Sequence, residues 1–102
     1  MANQTYFFKL IPPRSTFPAD ITPDEAGLME QHRVYWAERF AAGQVLAYGP
    51  VLVPGGAFGL GILEVEDEAE ARRFGVNDPS VLAGLNTFEI HPMRVVASRA
   101  KA

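Results

Sequence analysis

The sequence contains no cysteine. That excludes a disulfide scaffold, a thiolate metal site and a thiol nucleophile together. Long apolar runs are missing as well. Lys9 interrupts the first one, and a membrane span needs about 20 apolar residues. No basic start followed by a small-residue cleavage site marks a secretory leader, so the expected location is the cytoplasm and no membrane partner is expected. Basic residues are outnumbered: nine Lys and Arg stand against twelve Asp and Glu, for a formal charge of -3. A surface acidic overall repels phosphate backbones, which argues against nucleic acid as the main partner. Histidine is scarce. His32 and His91 are the only two, and neither stands in an H-x-H or H-E-x-x-H spacing, so no metal site is expected. The glycine-rich stretch Gly55, Gly56, Gly59 and Gly61 opens no helix and carries no G-K-[ST]. It reads as a turn plus close backbone approach in a strand, not as a nucleotide cradle, and the expectation is a protein without cofactors. Ser15, Ser80 and Ser98 lack the strand-to-helix elbow of a serine nucleophile.

What is there describes one ordinary folded domain spanning 1–102. The chain has 102 residues and 11.2 kDa, 48% hydrophobic and 21% charged, too apolar for wholesale disorder. Thr5 to Ile11 is rich in β-branched and aromatic residues and reads as a first strand stopped by Pro12-Pro13. A loop from Arg14 to Ile21 comes next, anchored by Phe17, long enough to suggest a lid or pocket wall. Thr22, Pro23 and Glu25 make a helix start: a cap, a proline suited to the first position, and an acid three after the cap. That helix runs to about Ala42, with Gly43 as its left-handed stop. Its apolar stripe is Leu28, Met29, Tyr35, Trp36 and Phe40, and His32 falls inside it. Val45 to Val53 is a second strand, edge or bulged where Pro50 removes a donor. Pro54-Gly55-Gly56 turns into a third strand, Ala57 to Val65. Asp67 caps a short helix expected to end at Gly75. Asp78-Pro79 starts one more turn closed by Gly84, and Thr87 to Val96 is the last strand. Residues from about 97 to 102 are small, polar and basic and read as a flexible tail.

The order β-α-β-β-α-β is the ferredoxin-like, or split βαβ, arrangement of an α+β protein. Its helices cover one face of an antiparallel sheet. The other face is left bare, so a homodimer, with room for higher assembly, is expected. The same order serves RNA-binding domains. However, Gly56-Ala57-Phe58-Gly59-Leu60 lacks the leading basic residue and second aromatic of their motif.

Two side chains stand out chemically. His32 sits mid-helix among large apolar residues. It reads either as a buried imidazole satisfied by one hydrogen bond or as a general acid or base, since imidazole exchanges a proton near neutrality. Asp78, before Pro79, is placed to cap a helical turn. A capped carboxylate is rigid and ionised, which also suits it to orient an imidazole.

In the order and spacing of such residues, the chain resembles the YCII-related family along nearly its whole length. The markers are His32 with Gly43 eleven residues on, then Gly49-Pro50, then the passage Glu64 to Ala71, then Asp78-Pro79, and the closing Ile90-His91-Pro92-Met93. The resemblance implies a ferredoxin-like dimer of the α+β-barrel kind, in which the helix His and the Asp of Asp-Pro face each other over a pocket. Carried over, these are His32 and Asp78 as catalytic residues. It also implies acid–base chemistry, such as isomerisation or elimination, on a small oxygenated aromatic or lactone-like molecule. The expected pocket has Trp36 and Phe17 as walls, Tyr35 and Tyr48 as polar handles, and Gly49 and Pro50 beside them. Many relatives carry an Arg three residues before the His, where this chain has Met29; Arg14 is the candidate replacement. A non-catalytic small-molecule-binding or assembly domain is the alternative reading.

Overall fold

The computed structural model describes residues 3–99. Its elements are β1 (Gln4–Ile11), α1 (Pro23–Ala41), β2 (Val45–Val53), β3 (Gly56–Val65), α2 (Glu68–Val76), α3 (Pro79–Leu82) and β4 (Thr87–Met93). The strands form one sheet in the order β2-β3-β1-β4, antiparallel throughout. This is the expected ferredoxin-like topology, with the helices on one face.

Alternation along β1 explains the layering. Tyr6, Phe8 and Leu10 are buried toward the helices, while Phe7 and Lys9 between them face the other way. The facing positions of β3 and β4, Leu63, Val65 and Ile90, join Trp36 of α1 and Ala71 and Phe74 of α2 in the core. Phe8 and Leu63 are fully buried, each worth about 1.5–3 kcal/mol of apolar burial. Phe8 stacks on Phe88 with centroids 5.2 Å apart and meets the Trp36 ring edge-on at 5.0 Å.

The helix ends obey the sequence chemistry. Thr22 Oγ1 accepts from the Glu25 N–H while the Glu25 carboxylate accepts from the Thr22 N–H, a complete capping box. Gly43 and Gly84 take the positive φ that terminates their helical segments, and Gly55 takes it in the β2–β3 turn. Pro50 is tolerated because β2 is an edge strand; the register shift lies between Val45 and Ala47, away from the proline.

Two boundaries and one core assignment differ from expectation. Gly75 does not stop α2; it lies inside it without positive φ. Its reason is space, since a Cβ there would stand 2.5 Å from the Phe88 ring. β4 ends at Met93 instead of Val96, because Met93 already pairs with Thr5 at the start of β1 and little of the neighbouring strand remains beyond it. Phe40, assigned to the core stripe of α1, is 49% exposed and leans on Tyr48. Of the expected tail, residues 97–99 have no regular structure and 100–102 lie outside the described residues. No described helix is long and apolar enough to cross a membrane.

Candidate active site

The site starts from a gap in β3. Gly61 leaves the sheet without a side chain opposite Trp36, and a Cβ at that position would stand 2.6 Å from the indole ring. Trp36 can therefore lie against the strand, buried to 3% exposure. One turn earlier on α1 is His32. Both side chains are aimed at the start of α3, where Asp78 holds the cap position.

Asp78 is fully buried and accepts four hydrogen bonds. Its Oδ1 takes the Ser80 backbone N–H and the Ser80 hydroxyl, both at 2.8 Å. Its Oδ2 lies 2.7 Å from His32 Nδ1 and 2.7 Å from Trp36 Nε1. Burial by itself pushes the Asp78 carboxyl up. The hydrogen bond and charge of His32, with the bonds from Ser80 and Trp36, outweigh it and hold the group below the usual carboxylate range. An ionised carboxylate only accepts, so His32 Nδ1 is the donor in this pair. The neutral imidazole then carries its lone pair on Nε2, which has no protein partner among the described residues.

His32 and Trp36 line a cavity of about 410 Å³, within the range of small-molecule sites. Its other walls are mostly apolar: Phe17, Pro18 and Ile21 from the long loop, Met29 from α1, Leu10 from β1 and Gly59 from β3. Tyr48, Gly49 and Pro50 of β2 border it. The loop is a wall, as its length suggested. Phe17 is buried, and Arg14 pins the loop by donating to both carboxylate oxygens of Glu25 at 2.8 Å and to Asp20 at 3.0 Å. The bonds from Arg14 take the Glu25 carboxyl down to about 2.

Of the nine residues singled out from the sequence, His32 and Asp78 meet, and Phe17, Trp36, Tyr48, Gly49 and Pro50 border the cavity. Two do not come to it. Arg14 is engaged with Asp20 and Glu25, so its charge is spent on holding the loop and does not replace a cation at Met29. Tyr35 points away: its hydroxyl donates to the Phe74 carbonyl at 2.8 Å, and the residue lines a smaller cleft with Arg39 and Gln44. Burial pushes that hydroxyl up, with Arg39 acting against the shift and the Asp78 charge adding to it. Sequence reasoning missed Ser80 and Asn86. Ser80 had a signal, because a cap residue such as Asp78 accepts from the N–H two or three positions on. Asn86, buried to 2% exposure in the connection before β4, had none. Among the described residues no group of three or more His, Asp or Glu is placed to hold a metal ion.

A YCII-related domain matches residues 13–94. The chain belongs to the YCII-related family. No functionally curated protein matches it. Among solved structures it is similar to 5-chloro-2-hydroxyhydroquinone dehydrochlorinase, TftG, from Burkholderia phenoliruptrix AC1100, determined in complex with 2,5-dihydroxybenzoquinone. The two share 21% identity and superpose with a TM-score of 0.65 over 87% of this chain and 93% of that one. At that identity the likeness establishes a shared fold. Within the YCII-related family, the expected ferredoxin-like architecture is thereby independently supported.

Proposed function

We propose that this YCII-related protein is a small acid–base enzyme acting on an oxygenated aromatic or quinone-like molecule, with His32 as the proton carrier and Asp78 as its orienting partner. The observation that carries the reading is the His32–Asp78 couple at 2.7 Å, on the wall of an apolar cavity, with Nε2 left unpartnered. A structural neighbour that acts on a chlorinated hydroxyhydroquinone supports the substrate class.

Each part has a physical role. Nε2 takes a proton from a substrate O–H or C–H. Asp78, already ionised, stabilises the imidazolium that forms and keeps the ring in one tautomer. The proton then returns at another atom, giving isomerisation, or a leaving group departs, giving elimination. A positioned base of this kind contributes typically 10²–10⁴ in rate. The apolar walls exclude water and strengthen the electrostatics of the pair.

The assembly we infer is a cytoplasmic homodimer. The bare sheet face carries Phe7, Val51, Phe58, Leu60 and Ile62, all half-buried, and Ile11 beside them. A solution mass near that of one 11.2 kDa chain would refute the dimer.

The enzyme reading is tested with a panel of hydroxylated and halogenated hydroquinones, monitored by absorbance and halide release. His32→Ala and His32→Gln are expected to lower turnover by roughly 10²–10⁴ while remaining folded. Wild-type turnover by a folded His32→Ala protein would refute the base assignment. Saturable binding of the whole panel with no turnover would make the protein a binding module.

A further inference from the structure

We infer that Asn86 is the hydroxyl-recognising residue of the cavity: its side-chain carbonyl accepts a hydrogen bond from a donor group on the ligand. The inference rests on the proposal that the cavity is a small-molecule site, and it names a chemical requirement of that molecule.

Three observations carry it. First, Asn86 is buried to 2% exposure, yet it is one of the residues lining the cavity. Second, its Oδ1 is shielded from solvent and has no hydrogen-bond partner. A buried amide oxygen without a donor is costly, and orphans of this kind in native structures call for an explanation such as a ligand or a function. Third, the opposite end of the amide is only softly held. Nδ2 donates to the Met29 thioether at 3.4 Å, a weak acceptor on an unbranched, adaptable side chain that itself lines the cavity. Releasing the thioether would free Nδ2, and the Asn χ2 torsion is broad enough for the amide to adjust to a ligand.

Asn86 is also fixed relative to the imidazole. Its backbone N–H donates to the Ser80 carbonyl at 3.1 Å, and Ser80 is the residue that clamps Asp78 Oδ1. The amide and His32 are thus tied to the same short turn through Ser80 and Asp78. In a cavity with mostly apolar walls, these are two polar anchors on one rigid support. A flat ring carrying one group to exchange a proton with Nε2 and a second, separate hydroxyl to donate to Asn86 answers both. A ring whose oxygens are all alkylated answers neither. Sites built to hydrogen-bond a hydroxyl reject analogues that lack it, because the site's own polar group is then left unpaired.

The test uses Trp36, the sole tryptophan, which lines the cavity and reports occupancy by its fluorescence. Three probes on the same ring, differing in how many of the two oxygens carry a methyl, are titrated: hydroquinone, 4-methoxyphenol and 1,4-dimethoxybenzene. The wild type is expected to prefer hydroquinone to the diether by about tenfold or more. Asn86→Leu, close in volume, should cut that preference by about three- to tenfold, the range of one neutral hydrogen bond, mainly by weakening hydroquinone. Asn86→Asp keeps an acceptor and should keep the preference. If Asn86→Leu does not fold, Asn86→Ala takes its place. A merely structural Asn86 predicts the opposite pattern, lower melting temperature with an unchanged preference, and that result overturns the inference. So does failure of the wild type to bind hydroquinone at millimolar concentration. The same titrations on His32→Ala separate the two proposals. A preference that stays sensitive to Asn86 in that background, whatever happens to turnover, supports hydroxyl recognition independently of the base assignment. An Asn86-independent preference in a protein whose turnover needs His32 leaves the acid–base reading standing alone.

Discussion

Replacing Asp78 by Asn changes one atom, and the hydrogen-bond geometry dictates the consequences. The carboxylate receives four donors: the Ser80 N–H and hydroxyl on Oδ1, and His32 Nδ1 and Trp36 Nε1 on Oδ2. An amide has one accepting end. If its oxygen stays toward Ser80, its NH₂ faces the indole N–H, which can only donate and is left unpaired in the core. The imidazole then turns to its other tautomer to accept from the NH₂, and Nε2 becomes protonated and useless as a base. If the oxygen turns toward His32 and Trp36, the Ser80 backbone N–H is the one orphaned, while the hydroxyl can swing to accept. Either orientation strands one buried N–H, at about 1–3 kcal/mol, and removes the charge from bonds worth about 1.5–3 kcal/mol each. A net loss of about 2 kcal/mol is a conservative figure and lowers the melting temperature by about 8–16 °C for a domain of this size. Scanning calorimetry checks the first number. Nitrogen-15 NMR of the imidazole and of the single indole N–H distinguishes the two orientations. A variant that melts within about 2 °C of wild type, with the His32 tautomer and the Trp36 N–H resonance unmoved, would refute the picture of a four-fold acceptor at the base of the site.

Acid stability and the packing at Gly61 give two more tests. Asp78 titrates below its ordinary value of 3.8 in the folded chain. Its contribution is therefore fully present above pH 3.8 and is lost as pH falls through the lower folded value. Urea unfolding of wild type and Asp78→Asn should accordingly show a stability gap that narrows as pH falls below about 4; a gap that widens in that acid range would contradict the assignment. Gly61→Ala would put a methyl 2.6 Å from Trp36 Cζ3 and 2.7 Å from Cη2. Overpacking of this kind costs typically 1–3 kcal/mol. Because the displaced ring also donates to Asp78, the variant should lose probe binding in the cavity as well as stability, and unchanged Trp36 fluorescence would count against the close approach.

The elements were legible where local chemistry decides them. Thr22-Pro23-Asp24-Glu25 is a helix start in any context, and Gly43 and Gly84 sit where only a left-handed residue closes the segment. Gly75 shows the limit of that logic. A glycine late in a polar stretch looks like a stop, but its cause is the Phe88 ring across the sheet, which no local pattern contains. The same holds at the site. His32 was conspicuous as a polar residue in an apolar stripe, and Asp78 as a cap. Their meeting depends on α1 packing against α3, a long-range fact suggested by family resemblance and not by spacing. Arg14 went the other way. An arginine in a pocket loop looks like an anion anchor until the loop's own turn brings Asp20 beside it and the helix start offers Glu25. Tyr35 is three residues from His32, about 300° round the helix, yet the side-chain directions carry its hydroxyl to the α2 backbone instead of the cavity.

The capping duty of Asp78 and its proposed catalytic duty are one physical requirement. A general base at Nε2 needs Nδ1 protonated, and an ionised Asp78 Oδ2, which can only accept, keeps it so. In a buried position that ionisation has to be enforced, since removal from water favours the neutral acid. The two bonds from Ser80 do this on one oxygen, and the Trp36 indole shares the other with His32. Removing the capping bonds would therefore act at the imidazole without touching it. Ser80→Ala deletes one of the two bonds on Oδ1, and Trp36→Phe deletes a bond on the oxygen that faces His32. Each should raise the Asp78 carboxyl toward its ordinary range. Carbon-13 NMR of the Asp78 carboxyl would then show either variant titrating at a higher pH than wild type. If both variants kept the wild-type carboxyl titration, the carboxylate would be held ionised by His32 alone, and the turn at α3 would be architecture without a part in the chemistry.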